Sequence, residues 1–344
     1  MVRFMQTQKE AYLYEKLEHD NVRCKTCNRE CVISPGTTGF CKTRENKGGI
    51  LYSLEYGLIS SLSINPAEKK PFYHFYPGSV FLTVGSWSCI FTCPWCQNYD
   101  ISKTPPGNKE SRSKILSPYE LVTIAKKNNC KGTSMSFSEP ATFLEYAVDV
   151  FELAKREGLY NTVVTNGYFS SEAIDLLLEK GAHAFNVDIK GDTETYKQYC
   201  NADIEKVWQN VRTIKEKGAH IELTTLVIPG INDNESCLNE IAERIKKEVG
   251  PETPWHISRY FPAYKFDRPP TPLSSLEKAY LIGKERELLY IYVGNVLGHK
   301  YENTYCPDCG EELVSRTGFT IHKNKLGEDK RCPRCGKEIP IIVS

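Results

Sequence analysis

The chain has no electrostatic bias. Lys and Arg number 44 and Asp and Glu 43, a formal net charge of +1 at pH 7, which gives no reason to expect nucleic acid or an anionic membrane as a partner. It also lacks any apolar run near the length of a membrane span, about 20 residues. Its opening stretch, Met-Val-Arg-Phe-Met-Gln-Thr-Gln-Lys-Glu, has no apolar h-region of a secretory signal. These absences predict a soluble, cytoplasmic protein. With 40% apolar and 25% charged residues among 344, the chain can build one sizeable globular core with small appendages.

Cysteine, by contrast, is abundant: there are fourteen. A reducing compartment disfavours structural disulfides, so metal binding is the expected use. The cysteines fall into three clusters: Cys24, Cys27, Cys31 and Cys41; Cys89, Cys93 and Cys96; and Cys306, Cys309, Cys332 and Cys335. Cys130, Cys200 and Cys237 stand apart and read as small buried hydrophobes.

The central cluster, Cys89-Ile-Phe-Thr-Cys93-Pro-Trp-Cys96-Gln-Asn, has C-x3-C-x2-C spacing and follows the apolar run Val80-Phe-Leu-Thr-Val84. It is too compact for a zinc ribbon, which pairs C-x2-C knuckles, and a triplet cannot complete four-coordinate structural zinc. Thiolates are the usual ligands of cubane iron–sulfur clusters. No fourth cysteine follows nearby, so one iron is left open for chemistry.

The outer clusters each hold four. Cys306-Pro-Asp-Cys309-Gly and Cys332-Pro-Arg-Cys335-Gly are knuckles separated by 22 residues, the spacing of a four-cysteine zinc ribbon, with a single rubredoxin-like iron as the alternative. So small a module is expected to be held by its metal rather than by a core. The set Cys24, Cys27, Cys31 and Cys41 has irregular C-x2-C-x3-C-x9-C spacing. Structural zinc suits four such ligands; an auxiliary iron–sulfur cluster and no fixed metal are the alternatives.

From residue 80 to about 295, short β-rich runs alternate with amphipathic helices. Seven strands are expected: Val80–Val84, Thr133–Phe137, Thr162–Thr165, Ala184–Ile189, Ile221–Ile228, His256–Arg259 and Leu289–Val293. Ser117-Pro118-Tyr119-Glu120 opens a helix with an N-cap serine, a first-turn proline and a capping-box glutamate. Further helices are expected from about Ala141, over Glu172–Glu179, before Gly218, over Glu235–Val249 and over Ser274–Glu287. The alternation implies βαβ units and a parallel sheet, either doubly wound or a barrel. Ser138-Glu139-Pro140, Thr165-Asn166-Gly167, Asp188-Ile-Lys190 and Arg259 all fall at strand C-termini, which favours a partial (β/α) barrel, where that rim carries the chemistry. The expected domains are a cysteine-rich extension (1–78), a core barrel (79–298) and a zinc ribbon (299–344). Glu68-Lys69-Lys70 reads as a charged, solvated turn.

The C-x3-C-x2-C spacing, with aromatic Trp95 before the last cysteine, resembles the radical S-adenosylmethionine (SAM) enzymes. The resemblance implies a TIM-like partial barrel and a 4Fe-4S cluster on Cys89, Cys93 and Cys96, its open iron chelated by the amino and carboxylate groups of SAM. Reductive cleavage of SAM then gives methionine and a 5′-deoxyadenosyl radical that abstracts hydrogen from substrate. Ser136-Phe-Ser138-Glu139-Pro resembles the family's Gly-Gly-Glu segment, with Phe and Ser in place of the glycines, and assigns Glu139 to the SAM amino group. The plain alternative is that Glu139 only starts a helix. Thr165-Asn166-Gly-Tyr168 and Asp188-Ile-Lys190 look like matching segments of the glycyl-radical activating branch. The aspartate preceding Thr-Asn-Gly in that branch is Val164 here, which leaves SAM contacts to Asn166 and Lys190, or a plain Asp188–Lys190 salt bridge. Arg259 is a candidate for an anion.

The widest resemblance, to the AmmeMemoRadiSam system radical SAM enzyme, is similar to pyruvate formate-lyase activating enzyme and spans nearly the whole chain. It rests on Cys24-Lys-Thr-Cys27-Asn-Arg-Glu-Cys31, Pro35-Gly-Thr-Thr-Gly-Phe-Cys41, Asn65-Pro-Ala-Glu-Lys-Lys-Pro71, Tyr73-His-Phe-Tyr-Pro-Gly78 and Cys93-Pro-Trp-Cys-Gln-Asn98. It implies AMMECR-type and Memo-type partners and a flavodoxin- or ferredoxin-type reductant. The expected function is a radical SAM oxidoreductase or activating enzyme acting on a protein residue or a small molecule. The competing class is a non-enzymatic iron–sulfur and zinc protein, an electron carrier or interaction module. A carrier would normally complete four cysteines per cluster, and a nucleic-acid module would be basic.

Overall fold

The computed structural model describes residues 7–106 and 113–343; the first six residues of the opening stretch lie outside the described residues. The chain forms two compact units, one of residues up to Ile64 with Val80–Thr92 and Cys96–Phe185, the other of Asn65–Ser79, Cys93–Trp95 and Asn186–Ser344.

In the first unit, β1 (Val80–Gly85), β2 (Gly132–Met135) and β3 (Tyr160–Thr165) are parallel, with Gly132 opposite both Phe81 and Tyr160. All four residues of β2 are buried, as expected of a strand in a parallel sheet covered on both faces. Helix α1 (Pro118–Lys127) carries the expected capping box of Ser117 and Glu120. Helix α2 (Leu144–Arg156) follows a 3-10 turn over Pro140–Phe143, and Gly158 takes the left-handed conformation just beyond its end. Helix α3 (Ser171–Glu179) is N-capped by Ser170.

The N-terminal extension adds two small antiparallel sheets to this unit. Its own core is Ala11, Val22, Cys24, Ile33 and Leu51. Buried Arg44 fastens it to α2 by two bonds of 2.9 Å to the Glu145 carboxylate.

In β4 (Ala184–Asp188) the chain passes from the first unit to the second. The second unit continues with α4 (Ile204–Glu216), β5 (His220–Val227), α5 (Glu235–Val249), β6 (Trp255–Arg259), α6 (Leu273–Glu285) and β7 (Ile291–Gly294), in which β5, β6 and β7 are parallel. A three-stranded antiparallel sheet, Thr304–Tyr305, Glu312–Thr317 and Thr320–Asn324, forms the C-terminal module.

An eighth strand, Ser61–Pro66, lies beside β1. A doubly wound sheet reverses its order at a switch point; β1, β2 and β3 in the first unit and β5, β6 and β7 in the second each run in chain order without such a reversal, in keeping with the expected parallel α/β fold. The eighth strand was not among the expected seven. It is an edge strand ending in Pro66, the position where proline is tolerated and apolar content is low. No helix among the described residues is long and apolar enough to cross a membrane.

The solvated turn expected at Glu68-Lys69-Lys70 is corrected. Glu68 and Lys70 are buried within the second unit, Glu68 accepts from the Gly78 amide, and burial next to Lys69 pushes the Lys70 ammonium down to about 7. The apolar residues around Pro71–Phe75 draw this turn inward, against its composition.

Candidate functional site

The central cysteines leave the sheet through a tight set of contacts. A Cβ at Gly85, the last residue of β1, would stand 2.8 Å from the Ser136 carbonyl, so the two strand ends approach as only glycine permits. The Ser86 amide donates to the Ser138 hydroxyl at 3.1 Å, and the Trp87 amide to Glu55 at 3.1 Å. Ser88 and Phe137 both adopt positive φ, 67° and 69°. Phe137 thus keeps the left-handed backbone that glycine takes freely, a conformation that costs about 1–3 kcal/mol for other residues and clusters at functional sites.

Cys89 receives two donors in the first unit, the Phe91 amide at 3.4 Å and the Asn166 side-chain amide at 3.7 Å. Asn166 is itself held by Glu139. One Glu139 oxygen accepts from the Asn166 backbone at 3.0 Å, and the other from the Thr165 hydroxyl at 2.7 Å and the Ala141 amide at 3.3 Å. Glu139 therefore does start the Pro140 turn, and it also fixes the loop that carries Asn166 onto Cys89. Cys96 lies 3.0 Å from the Ser102 hydroxyl.

The second unit holds the remaining candidates. Cys93 Sγ lies 3.6 Å from the sulfur of Cys200, which ends a π-helical turn, Tyr196–Cys200; such turns are frequent at functional sites. Lys190 donates to Asp188 at 2.9 Å. Burial opposes the Lys190 charge, but Asp188 and the thiols of Cys93 and Cys200 more than offset it and raise its pKa well above the usual value. Trp95 is buried, its ring 5.3 Å from Tyr199 and 5.6 Å from Phe266. Arg259 sits at the end of β6 as expected, with its Nε donating to the Thr271 carbonyl at 2.9 Å.

Sequence reasoning missed two buried acids and one thiol contact. Glu55 is fully buried beside Trp87, and burial pushes its carboxyl up to about 8, so it is mostly protonated at neutral pH. Glu222 accepts from the Tyr73 and His74 amides and contacts His220 at 2.9 Å and His256 at 2.6 Å. Its burial favours the neutral acid, yet the two histidines hold it well below the usual carboxylate range. These partners lie far apart in the chain, and no spacing signal links them. Cys200 is buried as expected, but its nearness to Cys93 left no mark in the sequence.

At the C-terminus, Cys306 Sγ lies 3.5 Å from Cys335 and Cys309 Sγ 3.6 Å from Cys332, and all four sulfurs lie within 4.8 Å of one another. Four thiolates on one zinc, with Zn–S about 2.3 Å, stand ~3.8 Å apart, so this donor set fits a single ion. The N-terminal Cys24, Cys27, Cys31 and Cys41 line one small pocket of the first unit.

Residues 87–245 match the family described as the Radical SAM superfamily. An uncharacterized protein of Methanocaldococcus jannaschii is 42% identical over 97% of this chain and 100% of its own length. The pyruvate formate-lyase 1-activating enzyme of Escherichia coli is 24% identical over 48% of this chain and 68% of its own. Among solved structures, a radical SAM methyltransferase from Sphaerobacter thermophilus shares the fold with a TM-score of 0.50 at 18% identity, over 64% of this chain and 67% of that one.

Proposed function

Because the chain belongs to the radical SAM superfamily, we propose that it is an enzyme in which Cys89, Cys93 and Cys96 hold a 4Fe-4S cluster and SAM takes the iron that no thiolate covers. When bound, the cluster supplies the electron that splits SAM into methionine and a 5′-deoxyadenosyl radical, which takes a hydrogen atom from the substrate. The observation that carries this reading is the Asn166 amide aimed at the Cys89 sulfur, held there by Glu139. An outer contact of this kind orients a metal-bound ligand.

Each side chain then has a defined task. Glu139 positions Asn166 and brings negative charge for the SAM amino group. Lys190 keeps its positive charge beside Cys93, suited to a thiolate-rich cluster or a carboxylate. Trp95, with Tyr199 and Phe266, forms an apolar wall that keeps water from Cys93. Thr165 and Ser138 lock the two loops against which SAM would lie. Arg259 and Asp188 remain anion-binding and positioning candidates.

Within the superfamily, similarity to the pyruvate formate-lyase and isethionate sulfite-lyase activating enzymes supports activation of a glycyl-radical enzyme, with a small-molecule substrate as the alternative. The reading includes a flavodoxin- or ferredoxin-type reductant, AMMECR-type and Memo-type partners, and zinc on Cys306, Cys309, Cys332 and Cys335. It retains the functional partition into an extension (1–78), a core (79–298) and a ribbon (299–344). The test is anaerobic reconstitution with iron and sulfide, then dithionite and SAM, with mass spectrometry of the nucleoside product. The expected result is 5′-deoxyadenosine from wild type and none from Cys89→Ala. Absence of the product from wild type with its iron bound would overturn the reading.

A further inference from the structure

We propose that Cys24, Cys27, Cys31 and Cys41 form a second iron–sulfur site, holding a four-iron cluster rather than zinc. All four cysteines line the same pocket in the first unit, but no three of their sulfurs lie within 4.8 Å of one another, as the C-terminal four do. Among the described residues, the only set of three or more ligating side chains with donor atoms within 4.8 Å of one another is Cys306, Cys309, Cys332 and Cys335. A single zinc needs its sulfurs ~3.8 Å apart. A cubane accepts one thiolate at each of four separate irons, and so spreads them. A 2Fe-2S cluster would pair the thiolates two to an iron, and among the described residues sulfur pairs near that spacing are seen at the C-terminal knuckles and at Cys93–Cys200.

The pocket is built as such a cluster requires. Its remaining walls include the apolar Ile33, Phe40, Ile90 and Ala141. Two arginines offset thiolate charge: buried Arg44, and Arg29, whose guanidinium stacks 3.7 Å over Phe40. The Thr43 hydroxyl donates to Cys41 Sγ at 3.2 Å. Hydrogen bonds to the sulfurs are among the contacts that tune a cluster. Gly39 keeps the wall thin, since a Cβ there would stand 3.1 Å from Ile33 Cδ1 and 3.7 Å from Cys31 Sγ.

The site also adjoins the loop of the catalytic cysteines. Ile90 lines the pocket and directly follows Cys89; the Ser88 hydroxyl donates to the Cys41 carbonyl at 2.6 Å, and Arg29 Nε donates to the Ile90 carbonyl at 2.7 Å. On another side, Cys27 forms an antiparallel bridge with Phe169, three residues past Asn166, and Asn28 donates to the Tyr168 carbonyl. The second cluster is therefore braced against both the Cys89 and the Asn166 loops.

The test uses the full chain with Cys89→Ala, Cys93→Ala and Cys96→Ala combined, reconstituted anaerobically with iron and sulfide and analysed for iron, sulfide, zinc and far-ultraviolet circular dichroism. The expected result is about four irons and four sulfides per chain with broad visible absorption, half the iron of wild type. Adding Cys31→Ser is expected to lower that iron severalfold while the circular dichroism stays native. Two zinc ions and no iron in the triple variant would overturn the proposal, as would a natively folded triple variant holding one zinc and no iron. The outcome is separable from the proposed function, because iron retained by the triple variant beside a wild type that fails to cleave SAM would reject only the latter.

Discussion

The two outer cysteine sets have the same four ligands and opposite cages. At the C-terminus, two C-x2-C knuckles turn back tightly. The Gly310 amide bonds the Cys306 carbonyl and the Gly336 amide the Cys332 carbonyl, both glycines are left-handed, and the sulfurs converge to pairs 3.5 and 3.6 Å apart. At the N-terminus only Cys24 and Cys27 have that spacing. Cys31 is tied back by the Cys24 amide to its own carbonyl at 3.0 Å, and Cys41 arrives from a separate turn, so the sulfurs surround a pocket instead of a point. The difference shows that ligand count alone does not set how close the donors come. The local turns that carry the ligands do, because they fix donor separation before any metal binds.

Stripping zinc should separate the two cages most sharply. Structural zinc in small modules contributes an apparent ~10–16 kcal/mol to folding, so a zinc chelator applied anaerobically should expose residues 299–344 to limited proteolysis. Visible absorption from the N-terminal site should survive. Equal loss from both ends would show that the cages share one metal chemistry.

Next in size is the anchor of the N-terminal cage. Glu145→Ala leaves Arg44 buried without its partner, which costs about 3–5 kcal/mol, and chemical denaturation should show that drop together with preferential loss of N-terminal iron. Replacing both, Arg44→Met with Glu145→Leu, should recover most of the stability. A Glu145→Ala effect below ~1 kcal/mol would mean that the pair does not fasten the extension.

A smaller effect is expected from acid on the C-terminal side. His74 contacts the Pro340 carbonyl at 3.0 Å and the Tyr292 hydroxyl at 2.6 Å. Burial lowers its pKa from 6.5 to about 4, with Glu222 partly offsetting the shift. The unfolded chain therefore binds a proton at His74 before the folded chain does, and stability falls as pH drops from 6.5 towards 4, by about 3 kcal/mol for this shift. Glu222, held low by its histidines, acts in the same direction once pH passes below the unfolded carboxylate value. Denaturation at pH 7, 5.5 and 4 checks the slope, and His74→Gln should flatten it between 6.5 and 4.

How much of this was legible follows from how local each signal is. Helix Glu235–Val249 was readable to its end residues, and the capping box at Ser117 marked α1, because caps and apolar periodicity lie within a few residues. The central triplet was readable for the same reason. Asp188 and Lys190 do form the salt bridge that the sequence allowed, with the thiols of Cys93 and Cys200 nearby. The Glu222–His256–His220 hub and buried Glu55 were illegible, since each depends on partners brought together only by the fold. At Phe137 the sequence hid a constraint: glycine is gone, but the backbone it would favour remains. The two outer sets already differed in the sequence by their spacing, paired knuckles against an irregular run, but how far apart that spacing leaves the sulfurs was visible only in their turns.

Electron paramagnetic resonance of the reduced protein, with and without SAM, tests the central claim most directly, because it contrasts an open iron held by three thiolates with a closed cluster held by four. Two iron–sulfur signals are expected in wild type, and SAM should change the one that disappears when Cys89, Cys93 and Cys96 are replaced. The signal that survives those replacements should not respond. If SAM leaves the Cys89-dependent signal unchanged, or alters only the surviving one, the assignment of the catalytic iron is contradicted.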